Sequence, residues 1–164
     1  MIAGLATVSD DRRLELERVL AAPRALVWKM FSDPCHLSRW WGPEGFTSPV
    51  VELDFRPGGR WYHVMRGPDG RDYPADSEFI EIVEPERIVY RNRQLSDAVF
   101  DGNPPPSFLR VITFADRGDG TTLLRLEAFF DTPAEKQAVV RRGFAEGTLQ
   151  SWDKLAGLLA EGAP

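Results

Sequence analysis

The chain is short of most of the residues that enzymes use to do chemistry. Its 164 residues contain one cysteine, Cys35, so no intramolecular disulfide can form, which fits a reducing compartment. Only two histidines occur, His36 and His63, so a metal centre would have to draw most of its ligands from carboxylates. No G-x-S-x-G elbow, H-E-x-x-H, G-x-x-x-x-G-K-S/T or C-x-x-C motif is present, and Gly58-Gly59 lacks the lysine and hydroxyl of a phosphate loop. Runs of about 18 apolar residues are absent, and so is a basic segment ahead of an apolar one at the N-terminus. An excess of basic charge is missing too: 20 Lys and Arg against 25 Asp and Glu give a net charge of -5. A nucleic-acid surface needs the opposite balance. These absences lead to the expectation of a cytoplasmic protein with no metal, no cofactor, no nucleic-acid partner and no membrane partner.

Aromatic side chains are plentiful, with five tryptophans and ten phenylalanines, and 43% of residues are hydrophobic. That is ample for a single core without staples. Residues 1–11 read as a flexible leader and 12–164 as one domain. Leu14 to Leu20 alternates as a strand. Pro23 then stands where a first helical residue would, Leu26, Val27, Met30 and Phe31 recur at helical spacing, and Asp33-Pro34 separates this helix from a second short one ending near Arg39.

After Gly45 the period becomes two. Val51, Leu53 and Phe55 form one run, and Pro57-Gly58-Gly59 turns into Trp61, His63 and Met65. Gly67-Pro-Asp-Gly70 turns again, and Glu84-Pro85-Glu86 joins the runs Glu78–Val83 and Arg87–Arg93. A proline-rich irregular stretch, Ser96 to Pro106, precedes a last hairpin of Phe108–Phe114 and Thr121–Phe130. The capping pattern Thr132-Pro133-Ala134-Glu135 then opens one long helix, expected to run from Pro133 to about Ala160. The result is an α+β chain: a strand, two short helices, about six antiparallel strands and one long helix.

That helix has an unusual inward stripe. Val140, Phe144, Leu155, Leu158 and Leu159 share one side with Trp152 at its edge, but Gly147, Thr148 and Ser151 occupy its middle. Small and hydroxylated residues there leave either a close helix–strand approach or a cavity wall. On the sheet, His63 shares a face with Trp61 and Met65 and is the best single titratable candidate, as a polar group of a pocket or as a general base. Arg91 is the candidate anchor for an anionic ligand, with solvent exposure as the alternative. Aromatic residues such as Phe79 and Phe108 would make any cavity apolar and flat-sided, suited to a planar ligand.

In order and spacing, Ala22-Pro-Arg-Ala-Leu-Val-Trp28, Asp33-Pro34, Trp40-Trp41-Gly42-Pro43 and Asp54-Phe-Arg-Pro-Gly-Gly-Arg-Trp61 resemble the START-like, helix-grip superfamily. With Glu81-Ile-Val-Glu-Pro-Glu-Arg-Ile-Val-Tyr90 and Val111-Ile-Thr-Phe114, the set is similar to its branch of heat-shock-protein-90 ATPase activator homologue-like (AHSA-type) domains. Ser77 stands where that family often has glycine, and Ser96–Ser107 is an insertion. The resemblance implies a sheet of about six to seven strands curved around the C-terminal helix, two short helices after the first strand, and a cavity between sheet and helix. It implies a binder of a small hydrophobic or aromatic molecule. The expected pocket lining is Trp61, His63, Phe79, Arg91, Phe108, Phe144, Thr148, Ser151 and Trp152, with no catalytic residue assigned. A polyketide cyclase or dehydratase-like enzyme and a chaperone- or protein-binding module remain as alternatives, and a homodimer is open.

Overall fold

A computed structural model of the protein describes residues 9–93 and 105–162. After a single turn at Asp10–Arg12 the elements are β1 (Arg13–Leu20), α1 (Arg24–Ser32), α2 (Pro34–Trp40), β2 (Thr47–Leu53), β3 (Arg60–Arg66), β4 (Asp72–Val83), β5 (Arg87–Asn92), β6 (Leu109–Asp116), β7 (Thr122–Phe129), α3 (Pro133–Arg141) and α4 (Phe144–Ala160). The strands form one seven-stranded sheet in the order β1-β7-β6-β5-β4-β3-β2, with antiparallel pairing throughout. This is the curved α+β sheet that the resemblance implied. Most of the expected leader and of the Ser96–Pro106 stretch lies outside the described residues. Pro23 caps α1 rather than starting it.

The turns follow from local chemistry. Gly59 between β2 and β3 is compulsory, since a Cβ there would lie 2.0 Å from the Asp54 carbonyl oxygen. The Asp33 carboxylate accepts from the Cys35 N–H at 2.8 Å and caps α2, whose first residue is Pro34. At α3 the Thr132 hydroxyl accepts from the Glu135 N–H at 3.2 Å.

The long C-terminal helix is two helices. Arg142 leaves α3 near φ -75°, ψ -4°, and Gly143 follows in the left-handed region at φ 83°, directly before α4. Glycine enters that region without a Cβ clash, so the chain bends here where a bulkier residue would have continued the helix. The break also corrects the inward stripe. Val140 is 40% exposed, and Val139 is buried in its place. Beyond the break α4 keeps the expected face, with Ser151, Trp152, Leu155 and Leu159 buried. Phe144 meets Phe108 of the sheet edge-on at 5.3 Å.

The core fills only part of the sheet's inner face. Trp28 and Phe31 of α1 pack edge-on against Phe114 of β6 at 5.1 and 5.0 Å. Trp40 of α2 is fully buried against Phe31 and donates its indole N–H to the Met30 carbonyl at 3.0 Å. A smaller cluster of Val89, Leu109, Val111 and Phe129 covers the opposite face of the sheet. The segment after α2 is then tied to α4. Ser151 Oγ accepts from the Gly42 N–H at 3.1 Å, Gln150 Oε1 accepts from the Glu44 N–H at 3.1 Å, and Lys154 Nζ donates to the Phe46 carbonyl at 3.1 Å. These bonds hold α4 away from β3–β6, and the space between them stays open.

Candidate functional site

That space is a cavity of about 380 Å³, bounded by β3–β6, the Trp41–Phe46 segment and the α3–α4 junction. The volume lies in the range of small-molecule sites. Of the residues expected to line it, Trp61, His63, Phe108, Phe144, Thr148, Ser151 and Trp152 do. Phe79 stands behind Trp61, stacked on it at 6.1 Å with the rings 3° from parallel, and belongs to the core. Arg91 is a correction. It lies on the outer face of β5, paired with Leu109 of the outer cluster, and donates to Ser107 at 3.3 Å. The strand's inward phase belongs to Ile88, Tyr90 and Asn92.

The cation on the inner wall is Arg110. It sits between Phe108 and Ile112 on the inward phase of β6, directly opposite Tyr90 of β5. Its Nη1 donates to Asn92 Oδ1 at 2.9 Å and more weakly to the Phe108 carbonyl at 3.4 Å. The guanidinium lies 3.7 Å above the Phe108 ring and 5.3 Å from that of Tyr90. Among the described residues no carboxylate forms an ion pair with it. Burial lowers the pKa of Arg110 and raises that of Tyr90. A sequence signal for Arg110 existed: it is the one charged residue among Phe108, Arg110, Ile112 and Phe114, whereas Arg91 shares its phase with Arg87, Arg93 and only one apolar residue, Val89.

His63 is buried, and its Nε2 accepts from the Trp41 indole N–H at 3.1 Å. The neutral ring therefore carries its proton on Nδ1, which is buried without a partner among the described residues, as is the Trp61 indole nitrogen. Burial, aided by the charge of Arg110, pushes the His63 pKa down to about 3. Of the neighbouring pair, Trp40 lies in the core and Trp41 on the cavity wall. Ser151 lends its hydroxyl to the fold, accepting from Gly42 and donating to the Gly147 carbonyl at 3.1 Å. Gly147 bears out the cavity-wall alternative for the helix stripe, and its close approach is to the segment after α2 rather than to a strand. It lines the cavity, and its missing Cβ would sit 3.3 Å from Pro43 Cγ.

No group of three His, Cys, Asp or Glu side chains gathers as a metal site among the described residues. None of the described helices is long and apolar enough to cross a membrane.

Comparison with known proteins places this geometry in a family. No curated protein matches the chain. A solved structure from Nitrosomonas europaea has a TM-score of 0.81 and 29% identity over 94% of this chain and 98% of its own. One from Mycobacterium smegmatis has a TM-score of 0.81 and 30% identity over 93% and 94%. The AHSA1 protein of Silicibacter pomeroyi has a TM-score of 0.75 and 26% identity over 92% and 99%. The family model for activator of Hsp90 ATPase homolog 1-like proteins matches residues 21–160. With its curved sheet, C-terminal helix and matched span, the chain belongs to the activator of Hsp90 ATPase homolog 1-like family, within the START-like helix-grip superfamily.

Proposed function

We propose that this chain is a non-enzymatic binder of a small hydrophobic or aromatic molecule held between the sheet and α4. The observation that carries the reading is the cavity of about 380 Å³ with flat aromatic walls, among them Trp41, Trp61, Phe108 and Phe144. Tightly packed interiors leave few voids larger than a water molecule, so a space of this size argues for an occupant. The polar groups facing it are few, which is how such sites orient a ligand while apolar contact supplies affinity.

A second reading, an enzyme of the polyketide cyclase kind, draws support from His63 and Arg110 sharing one wall. Its weakness is the state of His63. The basic nitrogen already accepts from Trp41, and the pKa near 3 leaves a poor base at neutral pH. The protein-binding reading has less to stand on: among the described residues the exposed large apolar side chains, Val19, Val50, Ile80, Val140 and Leu149, belong to five different elements.

Native mass spectrometry of freshly purified protein tests the proposal. The expected result is a bound mass that is released on denaturation. Ligand-free protein that is not stabilised by any member of a panel of small aromatic compounds would count against it.

A further inference from the structure

We infer that the molecule held in this cavity is an aromatic monocarboxylate, its carboxylate bound to the Nε–Nη2 edge of Arg110 beside the Tyr90 hydroxyl. The inference rests on reading the cavity as a ligand site and adds the chemical class of its occupant.

A guanidinium on the inner face of a sheet is costly unless an anion or a full set of acceptors meets it. Arg110 has neither. Its protein acceptors, Asn92 Oδ1 and the Phe108 carbonyl, are neutral and both engage Nη1. The edge formed by Nε and Nη2 makes no hydrogen bond among the described residues, and that edge presents two parallel N–H groups at carboxylate spacing. Asp76, the one carboxylate residue bordering the cavity, is already committed, pairing with Arg60 at 2.8 Å and Arg93 at 3.9 Å.

Next to that edge the wall offers a further donor. Tyr90 is buried directly opposite Arg110, and its hydroxyl has no partner among the described residues. An occupant rich in acceptors complements such a wall, whereas a cationic or donor-rich one leaves it unmatched. Arg93 and Arg142 also border the cavity but are exposed, so the one half-buried inward cation, Arg110, suits a monoanion, whereas a phosphate dianion would bring a second charge into apolar surroundings. The guanidinium is also fixed in advance. Asn92 holds Nη1 from one side and the Phe108 ring lies 3.7 Å beneath the plane. The aromatic walls then select a flat hydrocarbon body for the acid.

The test is a set of equilibrium titrations at neutral pH. Naphthoate and its neutral isostere naphthamide each compete with the uncharged dye N-phenylnaphthylamine, which reports on the apolar cavity alone. Wild-type protein is expected to bind naphthoate at least about tenfold more tightly than naphthamide, as one charge-assisted bidentate pair would give. In Arg110→Gln the ratio should fall to about one with dye affinity kept, judged on protein with wild-type circular dichroism. Asn92→Asp, which supplies an internal counter-ion to Arg110, should abolish the preference in the same way. Saturable dye binding with naphthoate no tighter than naphthamide overturns the inference and leaves the cavity reading intact. Absence of binding by dye and both competitors overturns both. If Arg110→Gln does not fold, the wild-type ratio decides alone.

Discussion

Trp41 donates its indole N–H to His63 Nε2 at 3.1 Å, joining the segment after α2 to the centre of β3. The bond uses the only basic nitrogen of the ring and so selects the neutral histidine. Protonating His63 would break it and place a second positive charge on the wall that already holds Arg110.

The first prediction follows from the sign of that shift. The His63 pKa lies near 3 in the folded protein against an ordinary value of 6.5. Above the ordinary value both folded and unfolded chains are neutral at this residue, and its stability contribution is complete. As pH falls from there toward the folded value, only the unfolded chain takes up the proton. Stability then drops by up to about 1.4 kcal/mol per pH unit from this residue. Urea unfolding of wild type and His63→Gln between mildly acidic and neutral pH should therefore diverge, with the variant flatter. Carboxylates held down by arginines, such as Glu81 beside Arg87, add a further loss only at lower pH. Parallel curves for the two proteins would contradict the assignment.

Gly143 and Gly147 should respond differently to alanine. At Gly143 the left-handed φ of 83° makes Gly143→Ala destabilising by about 1 kcal/mol although there is space for the methyl group. At Gly147 the backbone is helical, and up to about 1 kcal/mol of helix propensity opposes the 3.3 Å approach to Pro43, so Gly147→Ala should be close to neutral. Gly147→Leu extends that clash and should cost about 1–3 kcal/mol. Thermal unfolding of the three variants checks this order.

Asn92 binds three groups at once. Its Nδ2 donates to the Pro106 carbonyl at 3.1 Å, and its Oδ1 accepts from the Phe108 N–H at 3.0 Å and from Arg110. Asn92→Ala leaves these buried groups unmatched and should destabilise by about 2–3 kcal/mol. It should also weaken naphthoate binding more than dye binding, because Arg110 loses its orientation. Equal weakening of both would place Asn92 in the fold alone.

The succession of strands along the chain and the small helices were legible because turn chemistry and period-two alternation are local. Pro57-Gly58-Gly59, Gly67-Pro-Asp-Gly70 and the Thr132–Glu135 cap each dictate their conformation within a few residues. The break at Gly143 was not legible. Helical periodicity continues across it, and a lone glycine within a helical pattern is compatible with an unbroken helix. At the site, the apolar lining followed from periodicity and resemblance. The polar anchor was misjudged because Arg91 and Arg110 are both arginines on strands. Only the phase relative to buried neighbours separates them: Phe108 and Ile112 flank Arg110 on the inner face, while Val89 takes Arg91 to the outer one. The role of Trp41 depended on a contact between residues 22 positions apart in sequence, which no local pattern records.

If the cavity is a binding site, filling it must abolish binding. Ala75 faces it from β4, directly opposite His63, and Ala75→Trp would fill the space from the strand side without altering a residue of α4. The measurement is an equilibrium titration of N-phenylnaphthylamine fluorescence into wild type and Ala75→Trp, with thermal unfolding of each as the control for folding. Saturable one-to-one binding with blue-shifted emission in wild type, lost in an equally well-folded Ala75→Trp, is the predicted result. Linear, unsaturable dye uptake that is the same in both proteins would contradict it.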